Sequence, residues 1–353
     1  MDLKTEQLLQ MMSQPAFYAE NGVIQWQNRA ADCLVYKGQD ISHLFADDKD
    51  LYDLWDRQGP MQMDRLLMGT QYVLKVCVYE EGELFVLEQR NEDPGRYSKN
   101  LLQTSSDLRR ILQDLLSSGI AIQDEIGDQM QDSLLPEMEE LNRCVYRLQR
   151  LSNLISDNGA LMHSEGFYPI ETVNIRQFLI EFCKETADLL KESGYTLHYT
   201  LFSEEREGHI SPQLLKRALC HLLSYSIKHS EPQTAIQLKA WETEERICIS
   251  LAYRPETEGA FPNFMGSLGS GLERYKGMEP DVVRLIAEFH GGALMSSLSE
   301  DGSVQTLFSI GRRDKNRLLR SPGAEFREDG GLHSGLVELS EILSKEMYHP
   351  DRV

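Results

Sequence analysis

Between residues 101 and 155 apolar residues recur every 3.5 positions, and this repeat constrains the fold more than any other feature of the sequence. Leu101, Ser105, Leu108, Leu112 and Leu115 follow spacings of four and three. Leu134, Met138, Leu141, Val145, Leu148 and Ile155 keep the same beat, with Ser152 in the remaining slot. A 3.5-residue period is that of a coiled-coil seam. Leu102, Ile111, Leu116, Leu135, Cys144, Leu151 and Leu154 widen each stripe beyond a two-helix seam, to the width a four-helix bundle buries. One chain supplies two such helices, so a second copy is the simplest completion, and the sequence predicts a homodimer. Gly119 and the polar run 123–132 mark the connection between the helices. Ser133 can cap the second helix, Pro136 is tolerated in its first turn, and Asp157-Asn158-Gly159 is expected to stop it.

The chain has 353 residues, 41% hydrophobic and 26% charged, which suits two or three soluble globular domains. Its net charge of −20 argues against nucleic acid and anionic membrane surfaces as main partners. No apolar run is long enough to span a bilayer, and the first ten residues lack a signal-peptide core. The expected location is the cytoplasm, with no membrane insertion. The six cysteines are scattered without a CxxC pair, which predicts neither a disulfide framework nor a metal site.

Residues 10 to 92 read as a small α+β module. Ala16-Phe17-Tyr18-Ala19 and Val23-Ile24-Gln25-Trp26 flank Asn21-Gly22, a strong hairpin signal. A helical patch with Ala30, Ala31, Leu34 and Val35 comes next, then Leu44-Phe45, and a second hairpin runs from 71 to 88 around Glu81-Gly82. Hairpin, short helices, hairpin, with the phrase AFYAENGVIQWQNRAADCLV, resembles a PAS sensor domain. The resemblance implies a sheet against which a small ligand or a partner docks, or a module used for dimerisation. No residue identifies a ligand. The turn cluster 91–95 marks a boundary.

Beyond the hairpin the pattern changes. Residues 172–191 form an amphipathic helix and 195–202 alternate like a strand. Residues 214–229 are helical, 235–241 and 246–253 are strands, and 280–290 is a helix. Residues 294–298 and 304–310 close as a hairpin around Asp301-Gly302. The sum is an α/β sandwich, with helices on one face of a mixed sheet.

The order of elements, with the phrases SPQLLKRALCHLLSYSIKHS and VVRLIAEFHGGALMSSLSEDGSVQTLFSI, resembles the sensor histidine kinases of bacterial two-component systems over roughly residues 10 to 312. The resemblance makes 101–155 the dimerisation and phosphoacceptor hairpin, and the α/β sandwich the ATP-binding domain. In that family a histidine on the first hairpin helix takes the γ-phosphoryl group. Here Ser106 stands in its place, before Asp107, Leu108 and Arg109, and no histidine lies between His43 and His163. The asparagine that ligates Mg²⁺ corresponds to Tyr225 and the preceding box asparagine to His221, whereas Lys228 and His229 match positions that can face nucleotide. The first glycine box should come after the strand ending at Ala252. Tyr253-Arg254-Pro255-Glu256-Thr257 lacks its aspartate and both glycines. Of the second, only Gly277 remains, and Glu279 and Asp281 read as ordinary helix-start acids that would repel phosphate. The glycine-rich stretch 266–277 lies where the family keeps its ATP lid and reads as a lid or plain loop.

The fold class expected is thus multidomain α+β. It comprises a PAS-like domain (1–95), a two-helix dimerisation hairpin (96–160), a histidine-kinase-type ATPase α/β sandwich (161–313), and a linker with a C-terminal amphipathic helix (314–353). That helix spans 334–347, with Leu336, Leu339, Ile342 and Leu343 on one side. The function expected is a sensor-histidine-kinase-like signal transduction protein that lacks histidine autophosphorylation and acts as a dimeric regulatory scaffold. The alternative is a residual ATP-binding protein kinase using a non-standard site. No catalytic residue and no metal ligand is assigned. Lys228, His229 and Gly277 are the candidate cofactor-binding residues, no cofactor is expected, and ATP with Mg²⁺ is the alternative. A response regulator or another kinase is the partner implied.

Overall fold

The computed structural model describes residues 3–45, 48–55, 57, 59–89, 108, 109, 112, 115, 119, 134–163, 168–232, 234–256, 279–299, 301–311 and 332–350. Helix α1 (Leu3–Gln10) leads into β1 (Ala16–Glu20) and β2 (Val23–Gln27). Asn21 and Gly22 join these strands at φ of 48° and 77°, the left-handed pair that the Asn-Gly signal predicts. The helical patch expected at 30–35 is instead a 3₁₀ turn, Arg29–Ala31, capped by Asn28. The buried Asn28 amide explains the tight turn. Its oxygen accepts from the Ala16 and Ala31 amides, and its nitrogen donates to the Leu9 and Gln14 carbonyls. Short helices α2 (Ser42–Phe45) and α3 (Lys49–Asp53) come next, then β3 (Met61–Leu67), β4 (Thr70–Tyr79) and β5 (Gly82–Gln89). The five strands lie in the order β2-β1-β5-β4-β3.

Helix α4 (Leu135–His163) is the second helix of the predicted hairpin. The first helix, with Ser106, falls outside the described residues except for positions 108, 109, 112, 115 and 119, which are helical. Helix α4 does not stop at Asp157-Asn158-Gly159, as the sequence suggested. Asp157 is buried, with its carboxylate on Arg217 at 2.8 and 3.0 Å and on the Tyr168 hydroxyl at 2.7 Å. A side chain so engaged does not compete for the helix backbone, and one interior glycine costs only about 1 kcal/mol.

The remaining elements follow the predicted order with two short strands added. They are β6 (Glu171–Asn174), α5 (Ile175–Glu192), β7 (Leu197–Thr200), β8 (Glu207–Ile210) and α6 (Pro212–His229). After these come β9 (Ile236–Glu242), β10 (Arg246–Tyr253), α7 (Glu279–Phe289), β11 (Leu294–Leu298) and β12 (Val304–Gly311). The added strands are β6, which takes the first residues of the expected 172–191 helix, and β8. The expected C-terminal helix over 334–347 is shorter. It consists of α8 (Ser334–Glu338), a run of turns, and a 3₁₀ turn at Lys345–Tyr348. Arg150 Nε donates to the Glu338 carbonyl at 2.8 Å and Arg147 Nε to the Ser340 carbonyl at 3.3 Å. Two carbonyls that a longer helix would use internally are therefore bonded to α4.

Strands β11, β12, β10, β9 and β7 continue the N-terminal sheet, giving one ten-stranded sheet in the order β2-β1-β5-β4-β3-β11-β12-β10-β9-β7. Strands β3 and β11 pair antiparallel through Met63–Met295, Gln62–Ser296 and Met61–Ser297. Period-two alternation sorts the residues of each strand onto two faces. Ile247, Ile249, Leu251 and Tyr253 of β10 face the cluster built with α4 to α8, whereas Cys248, Met295 and Leu307 join Phe45, Leu51 and Trp55 under α2 and α3. The N-terminal helices thus cover part of the outer face of the C-terminal half of the sheet. Charges seal this contact. Arg246 of β10 holds Asp50 at 2.9 Å and Asp48 at 2.5 Å, Arg65 also pairs with Asp48, and Arg284 of α7 lies 3.8 Å from Asp64.

Candidate functional site

The residues singled out by the sequence converge on α6. Apolar Leu214, Leu215, Ala218, Leu219, Leu222 and Leu223 bury this helix on the sheet, and the Ser211 amide at its start donates to His290 Nε2 at 3.0 Å. His290 Nδ1 then donates to the Ile286 carbonyl, at 2.7 Å, so the end of α7 is tied to the start of α6. Along the other side of α6 lie Arg217, His221, Tyr225 and Lys228, at helical spacings of three and four.

Three elements close over this row: α4, the start of α7, and the C-terminal segment carrying α8. His221 is only 1% exposed. Arg150 of α4 donates to its Nδ1 at 3.0 Å; because a guanidinium can only donate, Nδ1 accepts and the ring proton sits on Nε2. That nitrogen faces the Glu338 carboxylate at 3.9 Å. Burial pushes the His221 pKa down to about 3, with Arg150, Arg217 and Lys228 adding to the effect, so the imidazole is neutral near pH 7. Arg150 also pairs with Glu279 at 2.6 Å and Glu341 at 2.7 Å. Burial works against the Glu279 carboxylate, but the cations led by Arg150, with Lys228, outweigh it and hold its carboxyl below the usual range. Arg217 pairs with Asp157 and, at 3.3 Å, with Glu338, whose other donor is Asn153 at 3.1 Å. Lys228 pairs with Glu341.

Tyr225 is 6% exposed and its ring stacks on His229, with centroids 4.1 Å apart. His229 Nδ1 lies 2.8 Å from the Tyr225 carbonyl. Burial raises the hydroxyl pKa of both Tyr225 and Tyr253, with Glu279 adding to the rise at Tyr225 and Tyr225 to that at Tyr253. Both phenols stay protonated at neutral pH. Lys228 and His229 are therefore beside the same cluster, engaged with Glu341 and Tyr225 respectively, while Gly277 falls outside the described residues. Among the described residues no group of three or more His, Cys, Asp or Glu side chains is placed to hold a metal ion.

Arg150, Glu338 and Glu341 belong to this cluster and were not singled out from sequence, and Glu279, read there as an ordinary helix-start acid, is paired with Arg150. No local pattern marks them, because Arg150 and Glu338 both stand off the apolar stripes read over 134–155 and 336–343.

No family model matches the sequence, and no curated protein matches it. Solved structures do. The histidine kinase AdeS of Acinetobacter baumannii matches at 13% identity, over 59% of this chain and 96% of its own, with a TM-score of 0.40. Full-length ShkA, solved in complex with AMPPNP, matches at 16% identity over 60% of this chain and 45% of its own, with a TM-score of 0.47. The histidine kinase ThkA, solved in complex with the response regulator TrrA, matches at 12% identity over 88% of this chain and 99% of its own, with a TM-score of 0.38.

Proposed function

We propose that this chain is a sensor-histidine-kinase-like signal transduction protein of the cytoplasm that lacks histidine autophosphorylation and works as a homodimeric regulatory scaffold. The observation that carries this reading is the state of the α6 row. The positions that the family resemblance gives to Mg²⁺ ligation and nucleotide contact are packed against the protein's own side chains. A Mg²⁺ site needs carboxylate, carbonyl or carboxamide oxygens. Tyr225 offers a buried, protonated phenol, and Tyr253 stands just after Ala252, where the strand leads toward the missing glycine box. Lys228 is held by Glu341, and Glu279 places a carboxylate at the start of α7, where phosphate would be repelled. The residues present do not fit a Mg²⁺–nucleotide complex. Ser106 at the phosphoacceptor position agrees with that reading.

The N-terminal module supports a contact role over ligand sensing. Phe17 stacks on Phe85 at 4.7 Å, Phe45 stacks on Tyr52 at 4.0 Å, and Trp55 packs beside them, all buried. Aromatic rings thus fill the interior in which a PAS-like sheet would seat a small ligand. A response regulator or another kinase is the partner this reading implies.

The test is a calorimetric titration of the full chain with ATP, with and without Mg²⁺, alongside transfer of label from γ-labelled ATP. No heat at millimolar nucleotide and no labelled protein are expected. Micromolar, Mg²⁺-dependent binding would return Lys228, His229 and Gly277 to a working nucleotide site.

A further inference from the structure

The C-terminal segment 332–350 makes a kind of contact that ordinary core packing does not require. Its apolar residues Leu336, Val337, Leu339, Leu343, Met347 and Tyr348 are buried, and the Tyr348 ring meets Tyr146 of α4 edge-on with centroids 5.1 Å apart. The segment adds no strand to a sheet. It is instead received, main chain first, by a row of α4 side chains. Asn142 donates to the Tyr348 carbonyl at 3.0 Å, Arg147 to Ser340 and Arg150 to Glu338. Ser193, after α5, accepts from the Ser344 amide at 3.0 Å, and Lys216 of α6 donates to Ser334 Oγ at 3.0 Å. Groups from α4, the end of α5 and α6 that hold a short segment by main-chain and side-chain hydrogen bonds, while its apolar side chains are buried against them, have the anatomy of a peptide-docking groove.

Glu338 and Glu341 latch the docked segment. Together they reach Arg150, Arg217 and Lys228, the buried or half-buried cations on the facing surfaces of α4 and α6. The latch is incompletely satisfied: among the described residues, Glu338 Oε2 and Ser340 Oγ are buried without a hydrogen-bond partner. Such groups subtract from the docking energy that the apolar contacts supply. A segment serving stability alone would be better served there by apolar side chains of equal volume. Weak intrinsic docking suffices in cis, because the twenty residues 312–331 tether the segment to the end of β12, and short tethers give effective concentrations on the order of millimolar.

We propose that the α4–α5–α6 groove is a docking site whose resident ligand is the chain's own acidic amphipathic C-terminal segment, and that this segment is a releasable strap clamping α4 to α6. Docked, it joins the hairpin helix to the α/β layer and keeps the α6 row closed. Released, it frees α4 to move relative to α6. The inference rests on the packing of the segment and not on whether nucleotide binds, so its test uses no nucleotide.

The experiment inserts a protease site between residues 320 and 325 of the full chain and cuts it after folding. Native mass spectrometry then tracks retention of the C-terminal fragment on dilution, and hydrogen exchange tracks the amides of 135–163 and 212–229. The fragment is expected to co-purify at micromolar concentration and to dissociate on dilution. The Glu338→Gln/Glu341→Gln double variant should lose it at least tenfold more readily. On release, exchange in 135–163 should rise at least tenfold, while β4 and β5 keep their protection. Three outcomes would overturn the proposal: immediate loss of the fragment, release without a change in α4 exchange, or release only with global unfolding.

Discussion

At the residue scale, the proton on His221 makes a measurable statement about folding. The folded chain surrounds the imidazole with Arg150 from α4, Arg217 and Lys228 from α6, Glu279 from α7, and Glu338 and Glu341 from the C-terminal segment. Its folded pKa is about 3, whereas the unfolded imidazole titrates near 6.5. Below pH 6.5 the unfolded chain therefore binds a proton that the native chain refuses. The native state loses stability as pH falls through this window, and the contribution is fully present above it. His221→Gln keeps an acceptor for Arg150 and removes the titration. The native chain should lose about 2 kcal/mol more than the variant between pH 7 and pH 5. Urea midpoints at pH 7, 6 and 5 measure this difference, and parallel pH dependence in the two chains would refute it.

At the element scale, the weight falls on β3, which joins the two halves of the sheet. Gly59 precedes it, and a Cβ there would lie 2.0 Å from the Leu298 carbonyl oxygen of β11. That contact is backbone and cannot swing aside. Gly59→Ala should therefore part the β3–β11 seam, with a loss of about 3 kcal/mol. Fast exchange of the Leu298 amide, which donates to the Pro60 carbonyl at 3.2 Å, would report the parting. Unchanged protection there would mean that the seam tolerates a methyl group.

Strand β3 also marks the limit of what the sequence discloses. Met61-Gln62-Met63-Asp64-Arg65 is buried throughout, so alternation is lost, and its hairpin turn is Met68-Gly69 at φ of 50° and 79° instead of Asn-Gly. Strands β9, β10 and β12 and helices α5 and α6 were legible because each buries one clear face or an apolar run. The end of α4 was misread because Asp157 finds Arg217 sixty positions away, a partner no local window contains. The site divides the same way. Tyr225, Lys228 and His229 lie within one helix and could be read together, whereas Arg150, Glu279 and Glu341 meet them only through tertiary packing.

At the scale of the whole molecule, α4 separates two surfaces. One side carries Tyr146, Arg150, Asn153 and Leu154 into the chain's own core and clasp. On the other side Leu134 and Leu141 are 45% and 42% exposed and Leu148 and Ile155 half-buried, at seven-residue spacings along a helix about 43 Å long, with Leu151, 42% exposed, beside the row. The inward face needs no second copy, but the outward face exposes leucines in a row, as a bundle seam does before it is closed. Glutamate at Leu141 places a charge in that seam without touching the inward face. Sedimentation should show the native chain as a dimer and Leu141→Glu as a monomer, with the thermal midpoint at low protein concentration shifted by only a few degrees. A native chain that sediments as a monomer, or a variant that stays dimeric, would place the symmetric contact elsewhere. If the variant instead unfolds at low concentration, the outward face is part of the protomer's own core, and the division of labour along α4 is wrong.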